Sequence, residues 1–117
     1  MLITYRIEVQ PGGIAIVTTD PYVSALKKGE ENLLRITTND PTTVLKIGST
    51  SPFAEEYLQP GKLLKLEKGE AGPFKAVNGH QSHRLDCGFI DPVTGEFSSW
   101  GGTGIVIPDN DGGSGVR

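Results

Sequence analysis

At 117 residues the chain has room for a single domain with one modest hydrophobic core, and not for two independent ones. Its 16 glycines and 8 prolines favour strands joined by short turns over helices. The 11 basic and 14 acidic side chains, net charge −3, are interspersed without the basic stripe of a nucleic-acid binder, and no apolar run reaches the roughly 18 residues of a membrane-crossing helix.

Residues 2–10, LITYRIEVQ, alternate with period two, so Ile3, Tyr5, Ile7 and Val9 share one face of a half-buried strand. Pro11-Gly12-Gly13 turns the chain into a second strand, GIAIVTT, with Ile14, Ile16 and Thr18 on a common face. TTDPYVSALKKG (18–29) is echoed by TTNDPTTVLKIG (37–48), which reads as two strands ending in similar Asp-Pro turns. NLLRITT (32–38) and TTVLKIG (42–48) are strands, whereas SPFAEEYLQPG (51–61) suits one short helical turn as well as an extended edge. KLLKLEKGE (62–70) follows as a strand with Leu64 and Leu66 inward, Lys65 and Glu67 outward, and Gly69 opening a turn.

Asn78-Gly79 is the pair preferred in a two-residue hairpin turn, and it predicts Phe74 to Val77 as one arm and His80 to Arg84 as the other. The strand continues through LDCGFI to a longer turn begun by Asp91-Pro92, with Gly95 as its left-handed residue before Glu96 and Phe97 return. The last strand lies in 102–108, GTGIVIP. The pattern predicts an all-β fold of eight or nine strands, either a small antiparallel sandwich or a closed barrel, with at most one short helical turn. Residues 1–108 form the domain and 109–117 a flexible Gly/Asp-rich tail.

His80, His83 and Cys87 are acceptable zinc ligands, yet on an extended arm residues 80 and 83 point to opposite faces, while 83 and 87 lie about 13 Å apart. Ordinary hairpin polarity and a buried cysteine account for them, so no metal and no cofactor is expected. Cys87 stands beside Asp86, which disfavours a thiolate, and no serine elbow or phosphate loop accompanies it. A lone cysteine also excludes an intrachain disulfide.

From Leu85 to Val116 there is no basic residue, so this end suits a basic protein surface rather than a phosphate backbone. The residues expected to make protein contacts are Tyr22, Trp100, Asp109 and Asp111. The expected function is therefore non-enzymatic. It is that of a structural subunit docking through loops onto a larger assembly, such as a virion decoration, tail or attachment component, or associating with itself. An exposed Trp100 would favour a carbohydrate-binding module instead, and a cleft joining His80 or His83 to Cys87 a small enzyme. The opening MLITYRIEV lacks a signal-peptide pattern, leaving a cytoplasmic protein, a virion component or a chain whose leader has been removed.

Overall fold

A computed structural model describes residues 1–22, 26, 31–77, 82–102 and 104–108. Among them are nine strands and no helix, hence none long and apolar enough to cross a membrane. The strands are β1 (Leu2–Gln10), β2 (Ile14–Asp20), β3 (Leu33–Thr38), β4 (Val44–Ile47), β5 (Leu63–Lys65), β6 (Glu70–Lys75), β7 (His83–Ile90), β8 (Phe97–Ser99) and β9 (Ile105–Ile107).

They form two packed sheets, so the sandwich expectation holds and the barrel alternative does not. The first sheet has the order β2-β1-β3-β6, and the second β5-β4-β7-β8, with β9 also pairing β7. Among the described residues every strand-to-strand pairing is antiparallel except β1 with β3, which run parallel. β2 and β3 lie on opposite sides of β1, so no tight turn can join them, and residues 21–32 make that connection.

Period-two alternation puts Ile3, Tyr5 and Ile7 of β1, Leu34 and Ile36 of β3, Leu45 and Ile47 of β4, and Leu85 and Cys87 of β7 into one core between the sheets. Leu64 and Leu66 join it as expected, and Gly69 takes positive φ where the chain turns into β6. The core has an orphan: the Tyr5 hydroxyl is buried without a hydrogen-bond partner among the described residues, and burial pushes its pKa up to about 12.

Two local expectations are made definite and a third needs correction. Ile14, Ile16 and Thr18 do share a face, but it is the outer one; Ile14 and Ile16 are 52% and 48% exposed, while Ala15 is buried and Val17 half-buried. Segment 51–61 contains no helix. It makes a single turn, with Leu58 N–H donating to Glu55 O at 3.1 Å, and it buries Phe53 and Leu58. The third concerns the hairpin around Asn78-Gly79. Its two arms belong to different sheets, β6 pairing β3 and β7 pairing β4, so the chain crosses from one sheet to the other there. Residues 78–81, and with them His80, lie outside the described residues. The same holds for the predicted tail, 109–117.

Candidate docking surface

The outer face of the second sheet carries a depression of about 220 Å³ lined by Pro41, Thr42, Thr43, Val44, Lys65, Glu67 and Ile90. Its floor follows from strand parity. Because Leu45 and Ile47 face the core, Val44 and Lys46 face outward; because Leu85 and Cys87 face inward, Asp86, Gly88 and Ile90 face outward. Val44 is thus buried without belonging to the core between the sheets. Ile90 pairs with Phe97 across the β7–β8 ladder, and the Lys46 ammonium lies 5.9 Å from the Phe97 ring centre.

Two side-chain-braced turns flank this floor. In the turn from β3 to β4, Asp40 Oδ1 accepts the Thr42 N–H at 2.9 Å and its hydroxyl at 2.6 Å. There Thr43 Oγ1 also donates to Asp40 O at 2.6 Å and lies 2.8 Å from Thr38 Oγ1. Such local bonds are what Asp brings to a turn, and here they fix one wall of the depression. In the turn from β7 to β8, Asp91 Oδ1 accepts the Val93 N–H at 2.8 Å, Gly95 N–H donates to Asp91 O at 2.7 Å, and Asp91 N–H to Glu96 O at 2.8 Å. Gly95 has φ of 74°, the left-handed conformation expected for it. The turn holds Val93 at its tip, 90% exposed, three residues beyond Ile90.

The residues singled out by type alone do not converge. Tyr22 is 80% exposed just past Asp20, which pairs with Thr4 near the start of β1. Trp100 is half-buried beside Gly13, past the other end of β1, and stacks at 5.5 Å on Phe89. The two therefore sit at opposite ends of β2, and Trp100 closes the edge of the core, donating its backbone N–H to Cys87 O at 2.9 Å. Asp109 and Asp111 lie outside the described residues.

His83 and Cys87 both point inward from β7 and are buried. Burial, reinforced by the Asp86 carboxylate, pushes the Cys87 thiol up to about 12, so it stays protonated at neutral pH. A hydrogen bond of 2.7 Å joins His83 Nδ1 and Thr50 Oγ1. Among the described residues, no three His, Cys, Asp or Glu side chains are grouped to hold a metal ion.

Burial also lowers the His83 pKa below its ordinary 6.5, which gives stability a pH dependence of known sign. Between the lowered folded value and 6.5 the unfolded chain binds more protons, so stability falls as pH drops through 6.5 and levels off below the folded value. Urea midpoints measured from about pH 7 to about pH 5 should therefore fall more steeply for the native chain than for His83→Gln. Parallel profiles would show that His83 titrates as if solvated.

A second depression, about 230 Å³, lies on the first sheet and is lined by Arg6, Ile7, Glu8, Thr37, Thr38 and Asn39, without an aromatic ring. The Asn39 side chain there is committed to the backbone of Val9, accepting its N–H at 2.7 Å and donating to its carbonyl at 3.2 Å. Comparison with protein-family models, curated proteins and solved structures finds no match to this chain.

Proposed function

We propose that this protein is a non-enzymatic assembly subunit that docks onto another protein through the outer face of its second sheet. The observation that carries this reading is the depression floored by Val44 and Ile90 beside the braced, protruding Val93. At about 220 Å³ it falls below the several hundred Å³ typical of small-molecule pockets and suits one branched or aromatic side chain of a partner. Lys65 and Glu67 on its rim favour a partner segment that carries opposite charges around that anchor. The placement of Cys87 and His83 supports a non-covalent role, because among the described residues the histidine and the cysteine are packed into the core.

Lysine-directed cross-linking of the native assembly, followed by peptide mapping, tests this. Links to a stoichiometric protein are expected at Lys46, Lys65 and Lys68, with Lys75 on the first sheet left unlinked. Links confined to Lys75, or an assembly in which Lys46 and Lys65 stay freely modifiable, would overturn the proposal.

A further inference from the structure

The outer face of the second sheet is polarised. Its β5 edge and the turn after β5 expose Lys65 and Lys68 beside Glu67, while Lys46 of β4 stands opposite Asp86 of β7 and reaches over the Phe97 ring of β8. Its β7–β8 side carries Asp86, Asp91 and Glu96, and Arg84 lies two residues before Asp86, farther from the depression. Among the described residues none of these groups forms an ion pair within the chain; the ion pair present, Lys75 with Glu31, belongs elsewhere. Apolar features occupy the middle: the depression over Val44 and Ile90, the Phe97 ring, and the Val93 tip with Asp91 and Glu96 on either side.

A two-fold axis brings a surface against itself in reverse, so each feature meets its complement only if the surface holds both halves of the match. This one does. Reversal lays Lys65 and Lys68 of one copy against the acids of the other and carries each Val93 tip toward the opposite depression, whose rim offers Lys65 to the acids flanking the valine. The knob is shaped by backbone and Asp91 hydrogen bonds within its own turn, so little conformational entropy is lost when it inserts.

We infer that the partner of this face is a second copy of the same chain, in an isologous dimer with Val93 of each protomer seated in the Pro41, Val44 and Ile90 depression of the other. The inference rests on the docking surface proposed above and names its occupant. Four strands abreast at about 4.8 Å spacing and a β7 of eight residues at about 3.4 Å rise give a contact roughly 15 Å by 24 Å. That is about 360 Å² on each copy, below the size of stable interfaces, so the dimer is a weak, concentration-dependent one.

Sedimentation or native mass measurement of the full chain, diluted from about 300 µM to about 1 µM, spans where such an interface dissociates. The native chain is expected to pass from dimer to monomer across this series. Val93→Asp, at a site too exposed to disturb the fold, should raise the midpoint at least about tenfold. Lys65→Glu and Glu96→Lys should each weaken association, and the two combined should recover most of it, because each charge faces its opposite on the other copy. A single-chain mass throughout, or a Val93→Asp midpoint equal to the native one, would overturn the dimer. If the native chain stays monomeric while the assembly still cross-links at Lys46 and Lys65, the dimer fails and the docking surface stands; cross-links confined to Lys75 defeat both.

Discussion

Replacing Gly88 by alanine should remove about 3 kcal/mol or more of stability, at the upper end of what overpacking costs. Gly88 stands in β7 between Val44 of β4 and Ser99 of β8. A Cβ built there meets the Ser98 carbonyl oxygen at 2.0 Å, its carbon at 2.9 Å and the Phe97 ring at 2.8 Å. A ring edge can swing aside, but a backbone carbonyl in a ladder cannot move unless β8 leaves β7. The single tryptophan immediately follows β8, so its fluorescence reports the loss directly alongside the urea midpoint. Adding Phe97→Ala should not restore the midpoint, because the nearer obstacle is main chain. Recovery in that double variant would place the conflict in the ring. Gly88→Ala should also lose the proposed dimerisation, since Phe97 and Ile90 are held in place by the β8 pairing.

Much of this fold is legible residue by residue, because period two is imposed by strand geometry wherever one face is buried. LITYRIEVQ and KLLKLEKGE announce both their strand state and their inner faces. Alternation fixes which residues share a face, however, and not which face is inside. In IAIV both sets are apolar, and the larger isoleucines face out while Ala15 and Val17 face in, in register with Val9 and Ile7. Pairing is a different matter. A turn signal such as Asn78-Gly79 is local chemistry, whereas the partner of Phe74 is Leu34 on β3, some forty residues earlier in the chain. No local period encodes that choice.

The proposed docking surface was harder to read for the same reason. Tyr22 and Trp100 attract attention by residue type, yet the depression is assembled from a turn at Pro41, a strand at Val44, an edge at Lys65 and a strand end at Ile90. A signal was present all the same. Ile90 has the parity of Arg84 and Asp86, an apolar side chain on a charged face, and Val44 has the parity of Lys46. Apolar residues that break a polar face next to a braced turn mark a surface more sharply than an isolated aromatic does. The Asp91 to Gly95 turn, fully legible, supplied the knob without saying what it points at.

Phe53→Ala should cost about 3–5 kcal/mol, the range for emptying a fully buried aromatic site, out of a total stability of about 5–15 kcal/mol for a domain of this kind. Phe53 is 1% exposed and meets Phe74 edge-on, ring centres 5.1 Å apart at 67°. Its segment joins β4 to β5 of the second sheet but bonds to the end of β6 in the first: Ala54 N–H donates to Lys75 O at 2.9 Å, and Val77 N–H to Pro52 O at 2.8 Å. The ring is therefore packed where an irregular connection of one sheet crosses to the other, a place with no repeating ladder to take up the loss. Phe53→Leu, which fills more of the site, should lie between alanine and the native residue in urea midpoint. If alanine and leucine cost the same, the edge-on pair with Phe74 and not the filled volume carries the energy; if neither costs more than about 1 kcal/mol, this connection does not staple the sheets.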